Sequence, residues 1–307
     1  MSRYPRLLFL LLLAALVAGG GVFAQTSMED AIKSLTGDNG KGYIQPIADL
    51  YGANMNAGWS HSAEISRMGL HIEFDLVAMG GLVGDDQKTY KATAPTGFTP
   101  ESFSTATIFG TQGAVVQSSA APGISYRAPD GVFNTTLFPL FAPQLTLGNV
   151  FGTQASFRFL TIPKIGDGQV PEVTLWGVGV RHSVSQWLPM IPLDVAVSFN
   201  YGVTTVDVTD GGGRLFDYSG YAIGLQASKR FSILTVYGGL STESSSMKVK
   251  YESTVPQAPG AIELDLEGAN AFRATAGVSL GLGFFKLFAD ANFGKVTHFS
   301  GGIGFGN

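Results

Sequence analysis

Between Leu193 and Val203 apolar and polar residues alternate without a break. Leu193, Val195, Val197, Phe199, Tyr201 and Val203 share one face; Asp194, Ala196, Ser198, Asn200 and Gly202 share the other. Strand side chains return to the same face every second residue, so this pattern predicts a strand with one oily and one polar or small side. The pattern recurs near the C-terminus, where Phe272, Ala274, Ala276, Val278, Leu280 and Leu282 oppose Arg273, Thr275, Gly277, Ser279 and Gly281. It recurs again with Leu70, Ile72, Phe74 and Leu76 against His71, Glu73 and Asp75.

Read along the whole chain, the alternation predicts strands at 54–65, 69–83, 138–147, 152–162, 171–184, 192–208, 214–229, 232–250, 262–282, 284–293 and 297–306. Ser66-Arg67-Met68 is expected as a tight turn joining the first two. Residues 84–137, rich in Thr, Ser, Ala, Gly and Pro, read as one large loop with at most a weak hairpin of 102–109 against 113–118. Short connections alternate with long ones, which is the asymmetry of an antiparallel transmembrane β-barrel, with an oily face toward lipid and a polar face toward the lumen. Such barrels normally have an even strand number. The expectation is therefore all-β with about 12 strands, roughly 10–14, one strand being hidden or residues 25–53 passing through the lumen.

The N-terminus sets the compartment. Arg3 and Arg6, the apolar run Leu7 to Val17, and Val22-Phe23-Ala24 form a secretory signal pattern with cleavage after Ala24. Residues 25–53 then form a separate periplasmic or plug segment, and 54–307 the barrel. In the plug segment Ser27 to Leu35 suggests a short capped helix, and Tyr43, Ile44, Ile47, Leu50 and Tyr51 give an apolar face at rough helical spacing, interrupted by Pro46. No later apolar run is long enough for a membrane helix.

Composition sharpens this picture. Charged residues make up 14% of the chain, against about 25% in average soluble domains. The chain has 19 basic residues; without Arg3 and Arg6 the mature chain has 17 against 23 acidic ones, a net of −6 that argues against nucleic-acid binding. There is no cysteine, hence no disulfide or thiolate metal site.

Inward positions supply the candidate lumen residues: His71, Glu73, Asp75, Arg158, Arg181, Asp194, Asn200, Arg273, Lys286 and Asp290. His71, Glu73 and Asp75 on one face could bind a metal or run acid–base chemistry, but a polar lumen wall, where charged residues are expected, is by far the better reading, and no metal or cofactor is expected. His182 and Ser183 are neighbours in the chain and so face opposite sides of a strand; an enzyme is not expected. Trp59, Trp176, Trp187, Tyr201, Tyr218, Tyr221, Tyr237 and Phe293 fall toward strand ends, as aromatic girdles do.

Three stretches carry a resemblance. GYIQPIADLYGANMNAGWSHSAE (42–64), GLHIEFDLVAMGGLV (69–83) and GVGVRHSVSQWLPMIPLDVAVSFNYGVT (177–204, with Gln186 to Pro189 as linker) together resemble an uncharacterised family of exported barrel proteins found mainly in Bacteroidetes-type bacteria. The resemblance carries no activity. In architecture alone the chain is also similar to the long-chain fatty-acid transporters of the outer membrane, which implies an N-terminal segment plugging a barrel. The last strand, with Phe299, Gly301, Ile303 and Phe305 on its oily face, resembles the outer-membrane assembly signal, although Gly306 and Asn307 follow it.

These readings place the protein in the outer membrane of a Gram-negative bacterium. Expected partners are membrane lipid and lipopolysaccharide, the barrel-assembly machinery and an unknown small solute, with no nucleic acid. The leading function is passive transport of a small solute, hydrophobic ones included. A closed structural or adhesion barrel and a soluble periplasmic β-sandwich are the alternatives.

Overall fold

The computed structural model describes residues 30–306 except 165–171, 189–190, 208–213 and 256–258. The signal pattern, the Ser27 cap and Pro189 lie outside the described residues. Residues 30–33 are helical, and a long helix, α1 (Gly37–Asn56), follows. Ten strands then close a ring: β1 (His71–Leu82), β7 (Leu137–Val150), β8 (Thr153–Ile162), β9 (Val173–Ser183), β10 (Asp194–Asp207), β11 (Arg214–Phe231), β12 (Leu234–Ser253), β14 (Phe272–Leu282), β15 (Phe285–Phe293) and β16 (His298–Gly306). All neighbours are antiparallel, and pairing of β1 with β16 seals the ring, from Glu73 against Gly306 to Gly81 against His298.

Twelve strands are not found. The expected strand 262–282 is broken: β13 (Gly260–Glu267) pairs with the far half of β12, and β14 with the near half. Ser246 faces Glu267 and Thr242 faces Phe272, so four steps on β12 oppose five on the other side, the signature of a bulge. β13 therefore stands outside the ring. The expected strand 54–65 is also absent: Asn54 to Asn56 end α1, and 57–70 run as an irregular strap. A two-sheet sandwich does not form, because the sheet closes on itself.

One end of the barrel has tight turns at 151–152, 232–233 and 283–284; we call it the turn end. The other, the loop end, carries the long connections. There residues 83–136 are not a plain loop. They form a cap of two small sheets: β2 (Thr89–Thr93) with β4 (Ser102–Ala106), and β3 (Phe98–Thr99) with β5 (Val115–Ser118) and β6 (Ser125–Arg127). The expected hairpin of 102–109 with 113–118 is replaced by these pairings. Ala92, Phe103, Val116 and Ala128 form the cap's own small core.

The outer surface is apolar along the middle of the wall. Ile72, Phe74, Val197, Phe199, Val278 and Leu280 point out and are exposed. On β14 the band runs from Phe272 to Leu282, ten steps of ~3.3 Å; at a tilt of ~35–45° that is about 25 Å in height, the thickness a membrane barrel presents to lipid. Aromatic rings mark both rims. Phe284, Phe285 and Phe305 cluster at the turn end with centroids 5.2–6.3 Å apart, and Trp176 meets Tyr201 edge-on at 5.8 Å toward the loop end. Trp187, 62% exposed, sits at the turn end. Tyr218 and Tyr237 instead point inward and are buried, as is Trp59, so these three do not belong to a girdle.

Eight strands enclose an interior that wall side chains alone can fill; ten leave additional room. Helix α1 takes that room. Its sequence, with Gly40, Gly42, Gly52 and Pro46, is poor in helix propensity, so burial and not propensity holds it. It enters from the loop end, where Leu35 carbonyl accepts from Tyr251 Oη at 2.9 Å and Lys33 carbonyl from Thr254 N at 2.9 Å. The strap continues to the turn end, where Arg67 carbonyl accepts from Gly152 N at 3.3 Å, and the chain then turns into β1.

Placed against lipid, the two faces must respond differently to charge. Val197→Arg or Val278→Arg should cost ~2–4 kcal/mol each in unfolding from lipid vesicles. Ser198→Asn or Thr275→Asn, on the lumen face, should cost less than ~1 kcal/mol. Heat-modifiable gel migration reads the folded fraction, and equal costs on both faces would show that the band does not meet lipid.

Candidate functional site

The site is the lumen itself, where the strap meets the wall. From Trp59 to Ile65 alternate strap residues (Trp59, His61, Ala63, Ile65) are buried, as in a strand, but no neighbouring strand pairs with this backbone. A buried carbonyl without a partner costs free energy, so something else must supply donors. Wall side chains do. Arg158 Nη1 donates to Met55 carbonyl O at 3.3 Å and its Nη2 to Ala57 carbonyl O at 2.9 Å. Gln144 Nε2 donates to Trp59 O at 3.2 Å, Gln226 Nε2 to Ser60 O at 3.3 Å, and Ser279 Oγ to His61 O at 3.2 Å. Arg181 donates to Ser62 O, and Ser228 Oγ accepts from Ala63 N at 2.9 Å.

Arg158 is the centre of this arrangement. It is 1% exposed, its Nε donates to Gln144 Oε1 at 3.0 Å, and its guanidinium carbon lies 4.0 Å from the centre of the Trp59 ring. A planar guanidinium offers several fixed donors and a face that stacks on an aromatic ring, which a lysine does not. The wall is shaped to the strap as well as bonded to it. A Cβ on Gly177 would lie 2.8 Å from the Trp59 ring, and one on Gly179 3.0 Å from it. Those glycines leave the space that the indole fills.

Below Trp59 lies a charged cluster. His61 Nε2 is 2.7 Å from Glu73 Oε1, and Lys286 Nζ is 2.5 Å from Oε2. His71 lies 3.5 Å from the same carboxylate, Gln144 donates to Asp75 Oδ2 at 3.3 Å, and His61 stacks on Phe288 at 4.3 Å. His61, Glu73 and Asp75 could offer three metal-ligand atoms within 4.8 Å of one another. Glu73 Oε2 is held by Lys286 and Oε1 lies against His61, so the arrangement ties the strap's His61 to β1 and β15.

Beside it, along β10, β11, β12, β14 and β15, is a polar cavity of about 60 Å³ lined by Asn56, Trp59, Asn200, Arg273, Asp290 and Asn292. At ~10–15 Å³ per water this cavity holds about four to six waters. Asp290 accepts from Tyr237 Oη at 2.9 Å, and Arg273 pairs with Glu243 at 3.0 Å. Asp194 stands apart from these groups, at the turn end beside Glu64, Lys229 and Arg230.

Of the apolar α1 residues, Tyr43, Ile44, Ile47 and Leu50 are buried, and Tyr51 Oη donates to Thr204 Oγ1 at 2.7 Å. Tyr43 Oη donates to the Asp130 carbonyl of the cap at 2.8 Å. Sequence reasoning missed Trp59, His61, Gln144, Gln226, Ser228 and Ser279. Their inward register on predicted strands was the signal available for the wall residues. Ser279 also stands in a G-x-S-x-G stretch, Gly277 to Gly281, but in mid-strand and not at the strand-to-helix turn that this spacing marks in hydrolases.

The model of a family of unknown function, DUF6588, matches residues 1–307, and the chain belongs to that family. No curated protein matches it. Among solved structures it is similar to the outer membrane protease OmpT from Escherichia coli, at 7% identity and TM-score 0.34, covering 80% of this chain and 98% of that one. It is also similar to the toluene transporter TodX from Pseudomonas putida, at 9% identity and TM-score 0.31, covering 89% and 98%. A third is the attachment invasion locus protein Ail of Yersinia pestis, at 10% identity and TM-score 0.26, covering 78% and 97%. With scores this low, no activity or ligand passes from these proteins to this chain.

Removing the Arg158 side chain would strand the Ala57 carbonyl and Gln144 Oε1, and would leave Met55 O, at the end of α1, only its bond from Trp59 Nε1 at 3.0 Å. Arg158→Met should weaken the hold on the strap by ~2–4 kcal/mol, from charge-assisted hydrogen bonds and the ring contact. The barrel ladder would stay intact. The expected result is unchanged heat-modifiable migration with faster hydrogen exchange in 55–63; unchanged exchange there would show that Arg158 does not pin the strap.

Proposed function

We propose that this protein is a gated conduit for a small solute in the outer membrane of a Gram-negative bacterium, with helix α1 and the strap as its gate. The export-type N-terminal sequence and the apolar band about 25 Å high support this location. The short-turn end then faces the periplasm and the capped end faces outward.

One observation carries the gating. Between Ala57 and Ala63 the strap is bound by wall side chains and takes no part in the β-ladder, so this stretch can be released without breaking any strand pairing of the barrel. A polar wall around it favours a polar solute over the hydrophobic one the sequence also allowed. A closed structural barrel is the second reading, supported by the apolar packing of Tyr43, Ile44, Leu50 and Met55 against the wall.

A lock separates the two. A Cβ on Gly52 would lie 3.1 Å from Ser245 Cβ, a few tenths of an ångström short of the ~3.5–4.5 Å a disulfide spans. The chain has no cysteine of its own. Gly52→Cys/Ser245→Cys should give low single-channel conductance when oxidised and recover wild-type conductance on reduction. Equal conductance in both states would favour the closed barrel.

The orientation has its own test. Because the chain enters the lumen from the loop end, a short epitope placed just before Asp30 should be labelled by antibody on intact cells. The same epitope in the 232–233 turn should be labelled only after permeabilisation. The reverse pattern would overturn the orientation.

A further inference from the structure

Beside α1, at the loop end, a second cavity of about 230 Å³ opens under the cap. It lies beyond the lipid-facing band, beside Ala269 and Lys295, which precede the start of β14 at Phe272 and follow the end of β15 at Phe293. Its lining combines two carboxylates, Asp49 on α1 and Asp86 at the start of the cap, with one ammonium, Lys295. Pro46, Val296 and Tyr90 supply an apolar side. Asp49 Oδ1 is committed to Gln45 Nε2 at 2.8 Å and Ala269 N at 3.0 Å, which fixes the carboxylate in place. Asp86 and Lys295, both exposed at the mouth of the cavity, line it together with Asp49 and act on Asp49 electrostatically. Among the described residues neither Asp86 nor Lys295 forms an ion pair.

We propose that this cavity binds a small zwitterion of amino-acid type, its ammonium between Asp49 and Asp86 and its carboxylate at Lys295. A simple cation would meet repulsion from Lys295, and a divalent metal would meet it twice over. A simple anion would face two carboxylates. Only a solute with both charges pairs with all three groups. The volume falls below the ~300–1,000 Å³ of drug-sized sites, which limits the ligand to a small molecule. Its hydrocarbon part lies against Pro46 and Val296. Burial holds the Asp49 carboxyl above its usual range, and an adjacent ammonium ion opposes that shift. Binding therefore weakens as pH falls and Asp49 takes up a proton.

As the identity of the carried solute, this rests on the gated-conduit reading; as a binding site it stands without it. The test is calorimetric titration of the full-length protein in detergent with three probes of similar size: L-valine, the cation valinamide and the anion isovalerate. The oxidised Gly52→Cys/Ser245→Cys form is titrated alongside, since it should bind valine normally even though its gate is locked. Valine should bind at least tenfold more tightly than either other probe. Asp49→Asn, which keeps the Oδ1 acceptor and loses the charge, should reduce valine affinity at least tenfold. Lys295→Met should reduce valine affinity and leave valinamide unchanged or tighter. Equal binding of the three probes, no valine binding, or insensitivity to both variants would overturn the proposal. Valine binding without any conductance change on reduction of the locked form would keep the site and reject the conduit.

Discussion

The lumen of this barrel must satisfy a backbone that has no strand beside it. Residues 57–65 cross the barrel interior largely buried, yet the ladder positions of the neighbouring strands are taken by one another. Buried N–H and C=O groups are paired in nearly all native structures, so the chain had to place donors elsewhere. It placed them on side chains of β7, β8, β9, β11 and β14, and the polarity of the lumen follows from that need. Arg158, Arg181, Gln144 and Gln226 are long, and each reaches a carbonyl that a neighbouring strand would otherwise have served.

Barrel size follows from the same requirement. A ring of eight strands could have been filled from its own wall, and a ring of sixteen would have left open water. Ten strands admit one helix of ~30 Å and its extended continuation. Where the fit is closest the wall gives way: the glycines at 177 and 179 sit under the Trp59 ring. At the loop end the cap completes the enclosure, with Asn39 exchanging two hydrogen bonds with the Thr93 backbone at 2.8 and 2.9 Å.

Much of this was legible in the alternation. The faces of β1, β10 and β14 read correctly because one side of each meets an apolar medium and the other does not, and a period of two reports that difference directly. The same signal misled at 54–65. Trp59, His61, Ala63 and Ile65 alternate in burial as a strand would, but alternation reports extended backbone between two environments and not the presence of a ladder partner. The helix was legible only as an apolar face. Its glycines and Pro46 argue against helix locally, and only the enclosing wall reverses that preference. The cap pairings, between segments brought together by the rim, left no periodic trace. The inward charges could be named one by one, but which would meet which depends on register around a closed ring, and no single segment contains that information.

The balance of forces on the strap is what makes a gate physically reasonable. Six hydrogen bonds join wall side chains to its backbone between Ala57 and Ala63 among the described residues, and a seventh holds Met55 at the end of α1. At about 1 kcal/mol net each they amount to several kcal/mol, more for those from arginine. Turning a two-state population from one extreme to the other takes about 5.5 kcal/mol of preferential binding. The two quantities are of the same order because a lumen that opens also hydrates: water replaces each donor the strap loses, so the cost of release is the net value of the bonds and not their gross strength. Helix α1 lacks that compensation, since opening would expose Ile44, Leu50 and Met55 to water, so the strap is the part of the gate released at least cost. A segment held by polar side chains in a polar channel is therefore the kind that a bound solute can move.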